Sequence, residues 1–136
     1  MTLSVAPLIA CDPDLSKTPF VLIVDDHAPS LERLKALIEH SGYVCVTASS
    51  AAEALIYCDQ NRPALVITDY SMPRLNGDGL ARWLKARYPS TPIVLITGDI
   101  MTAEFHQSLG ENFLVVIKKP LQVEPFLAIL EAVLKP

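Results

Sequence analysis

The chain has 136 residues, 51% of them hydrophobic, and a formal net charge of -4, which allows one domain with a real core and leaves too little for two ordinary ones. Its 11 Lys and Arg residues are scattered rather than banked along one stretch, which argues against direct nucleic-acid binding. Three cysteines without C-x-x-C or Cys/His ligand spacing fit the reduced thiols of a cytoplasmic protein rather than a disulfide framework or a zinc site.

Residues 1–18 carry Pro7 and Pro13, are followed by Pro19 and show no sustained period, so they read as a flexible tail. The tail has no Lys or Arg before Lys17, and Pro7 breaks its apolar run, which speaks against an export signal. No segment has the roughly 18 uninterrupted apolar residues of a membrane span. From residue 19 onward, strands and helices alternate. "FVLIV" (20–24) is an apolar strand ending in Asp25 and Asp26. In "PSLERLKALIEH" (29–40), Leu31, Leu34, Leu37 and Ile38 share one helical face, and Gly42 suits the helix exit. "YVCVTA" (43–48) is the second strand. Ser50 and Glu53 form a capping-box pattern opening a helix over 51–60. Pro63 precedes a third strand, "ALVIT" (64–68), and "GLARWLKARY" (79–88) is helical. "IVLIT" (93–97) is the fourth strand. A helix is expected over about 101–109, a fifth strand at "FLVVI" (113–117) and a last helix over about 123–134.

Parallel strands need crossovers and bury both faces, so this alternation predicts an α/β fold: a five-stranded parallel sheet, doubly wound, with helices on both faces. Ligands of such sheets bind beyond the carboxyl ends of the strands. Those ends carry Asp25 and Asp26 (first strand), Asp69 (third), Thr97 (fourth), and Lys118, Lys119 and Pro120 (fifth). Two carboxylates about 4 Å apart repel by roughly 4 kcal/mol at an effective dielectric near 20, so three would take up protons or hold a cation. An all-oxygen site with few protein ligands suits Mg2+, which commonly shares its shell with a phosphoryl group. Thr97 can then donate to a phosphoryl oxygen, and a lysine can neutralise another. Asp69 is left as a candidate nucleophile, since carboxylates form acyl phosphates.

"VDDH" (24–27), "DYSMPRLNG" (69–77), Thr97 at the end of "IVLIT" and "KKP" (118–120), in that order and each at its own strand end, resemble the receiver domain of two-component response regulators over about residues 19–135. The resemblance implies a flavodoxin-like, chemotaxis-regulator-like sheet of strand order 2-1-3-4-5 and a receiver domain spanning 19–136. It makes Asp69 the phosphoacceptor, charged by a sensor histidine kinase, a phosphotransfer protein or a small phosphodonor. Mg2+ would be held by Asp26 and Asp69, by Asp25 through water and by the backbone carbonyl of Ser71. Thr97 and Lys119 would contact the phosphoryl group, the Lys119–Pro120 peptide would be cis, and Gly77 would close the turn after Asp69. The protein would then be a cytoplasmic signalling switch that catalyses only its own phosphorylation and dephosphorylation.

Receivers usually carry Tyr or Phe three residues before the lysine; here it is Val116, which has no ring to rotate. By the same ungapped count Asn112 falls where the family has a glycine. Asp78 and Asp99 read as turn or cap residues, with Asp99 also placed to influence dephosphorylation. The three histidines read as surface or capping residues, Lys118 as solvated and Trp83 as core or groove. On the last helix, Phe126, Leu127, Ile129, Leu130, Val133 and Leu134 span roughly 160°, wider than the stripe of about 100° that packing on a sheet needs. Either a broad core face or a homodimer interface fits that width. Two other functions stand beside this one: the receiver piece of a larger DNA-binding regulator or hybrid histidine kinase, and a Mg2+-dependent phosphatase using an aspartyl phosphate. Phosphatases of that kind place a second aspartate two positions after the nucleophile, where this chain has Ser71.

Overall fold

A computed structural model of the chain describes residues 19–72, 76–98, 107 and 112–134. In chain order the elements are β1 (Phe20–Val24), α1 (Ala28–His40), β2 (Val44–Ala48), α2 (Ala51–Gln60), β3 (Leu65–Asp69), α3 (Gly77–Arg87), β4 (Ile93–Thr97), β5 (Val115–Lys118) and α4 (Val123–Leu134). The tail, Pro73, Asp99 and nearly all of the helix expected over about 101–109 lie outside the described residues.

The strands form one sheet in the order β2-β1-β3-β4-β5, and every neighbouring pair is parallel. Each residue of β1, β3 and β4 is buried, whereas β2 and β5, at the edges, are mostly half-buried. Continuous apolar runs therefore mark the strands that have neighbours on both sides and a helical layer on each face. The two-residue period divides the core. Phe20, Leu22, Val24 and Val66 pack with Ala54, Leu80 and Leu84 of α2 and α3. Val21, Ile23, Ile67 and Ile96 pack with Leu31 and Ile38 of α1 and with Phe126 and Leu130 of α4.

Local chemistry sets the helix ends. Gly42, at φ +96, closes α1, its N–H donating to the Glu39 carbonyl at 3.0 Å while Tyr43 N–H reaches Ile38 at 3.2 Å. Ser50 caps α2 by accepting from Glu53 N–H at 3.1 Å, and the Glu53 carboxylate accepts from Ser49 N–H at 2.6 Å. This capping box thus closes one residue further out than the pattern requires.

The fifth strand corrects its expected bounds. Val115 pairs with Val94 and Lys118 with Thr97, so pairing with β4 starts the strand at Val115 and carries it one residue past Ile117. Phe113 instead packs against the α2–α3 layer, and Leu114 is exposed. An apolar run cannot distinguish these roles. On α4, Phe126 and Leu130 are buried, and Leu127, Ile129, Val133 and Leu134 pack partly buried around them. The wide apolar face thus contributes all six residues to packing on the core, four of them partly buried. No helix among the described residues is long and apolar enough to cross a membrane.

Candidate functional site

Parallel register brings the strand ends to one edge. Val24 pairs with Thr68 and Asp69 with Ile96, so Asp25, Asp69 and Thr97 leave neighbouring strands at nearly the same level. Asp25 (4% exposed), Asp69 (8%) and Thr97 (1%) are buried, and Asp26 is exposed. Carboxylate oxygens of Asp25, Asp26 and Asp69 all lie within 4.8 Å of one another.

Charge governs this cluster. Unit charges at about that spacing repel by roughly 3 kcal/mol per pair at an effective dielectric near 20. Lys119 relieves part of it, its Nζ standing 2.8 Å from Asp69 Oδ1. Three carboxylates against one ammonium leave two negative charges when all are ionised. Asp25 registers the excess: burial pushes its carboxyl above the ordinary value of 3.8 and the Asp69 charge adds to the rise, while the His27 N–H, donating to Asp25 Oδ1 at 2.9 Å, opposes it. Hard oxygen donors with a double negative excess fit a divalent cation such as Mg2+.

The turn after β3 keeps Asp69 in place. Tyr70 N–H donates to the Ile96 carbonyl at 3.0 Å, and Gly77 N–H donates to the Tyr70 carbonyl at 2.9 Å. Gly77 begins α3 directly over Asp69: a Cβ there would lie 2.5 Å from the Asp69 carbonyl oxygen and 2.9 Å from Leu95 Cδ1. Only a residue without a side chain fits this approach. Asn76 caps the same helix, its side-chain oxygen accepting from Gly79 N–H at 2.8 Å.

The structure thus brings Asp25, Asp26, Asp69 and Lys119 together, with Thr97 beside them on β4. Lys119 N–H donates to the Thr97 carbonyl at 2.8 Å, and the Lys119–Pro120 peptide is cis. Lys118, opposite Thr97 in the ladder, is exposed, as expected of a solvated lysine. Ser71 lies exposed just beyond Asp69. Val116, opposite Leu95, is half-buried. Asp78 pairs with Arg82 at 2.8 Å, and half-buried Trp83 packs on the α2–α3 layer under the Arg87 guanidinium at 4.4 Å. His27 is exposed at the α1 N-cap, with Nδ1 2.7 Å from Ser30 Oγ. Sequence reasoning missed one feature, a groove between α1 and the start of α4 that opens onto Asp25, Asp69 and Lys119. The lone signal for it in the sequence was Arg33, a cation on the margin of the apolar face of α1.

Residues 21–131 match the family model of the response regulator receiver domain. The chain is 36% identical over 126 residues to a probable transcriptional regulator, ycf27, of Guillardia theta, covering 91% of this chain and 48% of that protein. It is 27% identical over 119 residues to the polar-differentiation response regulator DivK of Brucella ovis, covering 86% and 97% respectively. It therefore spans about half the length of the first relative and nearly all of the second. Among solved structures, the signal receiver domain of an HD domain-containing protein from Pseudomonas fluorescens Pf-5 superposes with a TM-score of 0.80 at 28% identity, covering 88% of this chain and 96% of that one.

Proposed function

The chain belongs to the response regulator receiver domain family, and on that premise we propose that it is a cytoplasmic phosphorylation-controlled switch whose phosphoacceptor is Asp69. A carboxylate oxygen of Asp69 attacks phosphorus in line; the new O–P bond forms as the P–N bond of a phosphohistidine, or the P–O bond of a small phosphodonor, breaks. The donor is a sensor histidine kinase, a phosphotransfer protein or an acyl phosphate. Lys119 releases Asp69 Oδ1 and neutralises a phosphoryl oxygen, and the Thr97 hydroxyl donates to another. Asp26, Asp69 and the Ser71 carbonyl would hold Mg2+, with Asp25 reaching it through water; the bound ion supplies charge neutralisation for the transferring group. The domain performs only its own phosphorylation and dephosphorylation, and signals by changing the surface it offers a partner protein.

One observation carries this proposal: three carboxylates gathered within 4.8 Å, with the Lys119 ammonium 2.8 Å from Asp69. Intact mass after incubation with acetyl phosphate and Mg2+ tests it. The expected product is one phosphoryl adduct, labile in alkali and absent from Asp69→Asn. An adduct that persists in that variant, or none in the wild type despite bound Mg2+, refutes the assignment. A second reading, the receiver portion of a longer DNA-binding regulator or hybrid kinase, is favoured by the half-length match to ycf27. The length of the open reading frame decides between them.

A further inference from the structure

The edge of the sheet opposite the carboxylate cluster carries a second ordered group of charges. Tyr88, at the C-cap of α3, is fixed there: its N–H donates to the Leu84 carbonyl at 2.6 Å, its carbonyl accepts from Thr91 N–H at 3.1 Å, and its hydroxyl donates to Asp59 Oδ1 at 2.7 Å. Lys85 closes the same turn, its Nζ donating to the carbonyls of Thr91 at 2.7 Å and Pro89 at 3.3 Å. Two guanidiniums rest on this frame. Arg62 lies over the Tyr88 ring at 4.7 Å, and Arg87 stands 4.4 Å from the centre of the Trp83 ring and 6.0 Å from that of Tyr88.

Stacking engages the face of a guanidinium and leaves its N–H edges to bind an anion. Asp59 does not take up those edges. Its Oδ1 accepts from Tyr88, and Arg87 Nη2 stays 3.6 Å from the same atom, beyond hydrogen-bond reach. The Arg87 side chain is half exposed, and Arg62 is exposed with no carboxylate partner among the described residues. Arg62, Lys85 and Arg87 against Asp59 leave two positive charges at this edge of a chain whose net charge is -4. Both guanidiniums flank the Tyr88 ring, so they lie no further apart than the sum of 4.7 and 6.0 Å, or 10.7 Å. Beside them Ile56, a surface neighbour of Asp59 three residues back on α2, is 59% exposed.

We propose that this edge of the α2–α3 layer docks an acidic helical segment of a partner protein. Two carboxylates one turn apart pair with Arg62 and Arg87, and an apolar side chain beside them covers Ile56. A helix puts all three groups on one face, whereas in a strand the residue between two such carboxylates points away. A nucleic acid has nothing to stack on, since the guanidiniums already cover the Trp83 and Tyr88 rings. A lone phosphate would leave Ile56 uncovered. The arginines are held in place before the partner arrives, which lowers the ordering cost of binding. The inference stands independently of phosphorylation at Asp69.

The test titrates the full chain, at low ionic strength, with an alanine-based helical peptide carrying two glutamates one turn apart and a leucine beside them. Trp83 is the one tryptophan of the chain, so its emission reports on the patch, and the Ile56 methyl resonances report separately. The expected result is a saturable shift of both. Arg62→Ala and Arg87→Ala should each weaken binding by about tenfold or more, and Arg87→Lys by nearly as much, because lysine keeps the charge without the planar fork. The double variant Arg62→Glu, Arg87→Glu should lose the peptide and bind its counterpart with lysines for both glutamates, which separates docking from damage to the fold. No saturable shift, equal affinity for a peptide with glutamines for the glutamates, or arginine variants that bind as wild type does overturns the inference. So does displacement of the peptide by an equal concentration of inorganic phosphate or of a single-stranded oligonucleotide, because the edge is then a phosphate site. Ile56 shifts that follow chain concentration without peptide also overturn it, because a second copy then covers the patch.

Discussion

Replacing Gly77 by alanine sets two known effects against each other. Alanine is favoured over glycine in a helix interior by up to about 1 kcal/mol, and by less at a first helical residue. Against this, the new Cβ would lie 2.5 Å from the Asp69 carbonyl oxygen, so about 0.9 Å of movement is needed to reach an ordinary contact of 3.4 Å. Neither partner yields freely. Tyr70 is tied to Ile96 at 3.0 Å, Gly77 is tied to Tyr70 at 2.9 Å, and the second close atom belongs to fully buried Leu95. Overpacking of this kind costs about 1–3 kcal/mol. The balance predicts Gly77→Ala to be less stable by about 1–2 kcal/mol, lowering the urea midpoint by roughly 0.5–1 M for a denaturant slope near 2 kcal/mol/M. Half-buried Trp83 provides a fluorescence signal for the titration. Displacing the Asp69 backbone also moves the nucleophile, and misplacements near 1 Å cost up to about 100-fold in rate. Phosphorylation by acetyl phosphate should therefore slow by about 10- to 100-fold under conditions where the variant is folded. Gly98→Ala, whose Cβ meets nothing among the described residues nearer than Lys119 Cδ at 3.8 Å, should stay within about 0.5 kcal/mol of wild type. A Gly77→Ala chain with an unchanged midpoint and wild-type phosphorylation would refute the close-approach reasoning.

Asp25, held above 3.8 by burial, carries a proton more readily in the folded chain than in the unfolded one, so its contribution is fully present below the unfolded value and is lost as pH rises through the raised folded value. Asp25→Asn should accordingly melt higher than wild type at neutral pH without Mg2+, and the advantage should vanish in acid; equal melting temperatures at neutral pH would contradict it. Mg2+ at about 100 times its dissociation constant should stabilise the wild type by about 2.7 kcal/mol in denaturant titrations, and markedly less in Asp69→Asn. Lys119→Ala leaves Asp69 beside two other carboxylates and should cost roughly 1 kcal/mol without Mg2+, since the lysine is itself well exposed. Adding Mg2+ should reduce that loss, and a loss that grows instead would show that the ammonium and the ion do not share a role. Cys45 and Cys58, raised to about 12 and about 11, should resist a thiol reagent until urea unfolds the chain.

The sheet and the site were legible for the same reason. A buried parallel strand reads as an unbroken apolar run, so the polar residue that ends it is conspicuous: Asp25 after "FVLIV", Asp69 after "LVIT", Thr97 after "IVLI". Because β1, β3 and β4 are neighbours in nearly level register, residues that end their runs in the sequence end them together in space. Less legible was β5, an edge strand with a single partner, where "FLVVIK" contains two overlapping windows and only pairing to Val94 selects Val115 as the start. The breadth of the α4 apolar face was visible, but periodicity cannot tell a wide core contact from an interface. Contacts of Leu127 and Leu134 with the core show that the margin of that face packs inward, each residue partly buried.

The groove was the least legible feature, and its origin shows what kind of information a sequence withholds. Helical periodicity identifies which residues of α1 face inward, and Leu34 and Leu37 do pack toward the core. It does not say how far α1 stands from its neighbour. That spacing follows from the packing of two helices on a twisted sheet and varies with the side chains between them. Leu34 and Leu37 therefore belong to the core on one side and to the groove on the other. The carboxylate cluster needs only three strand ends in register, a condition the chain writes residue by residue. A space between α1 and α4 is written nowhere in particular, and Arg33, exposed on its rim, is its one chemical trace.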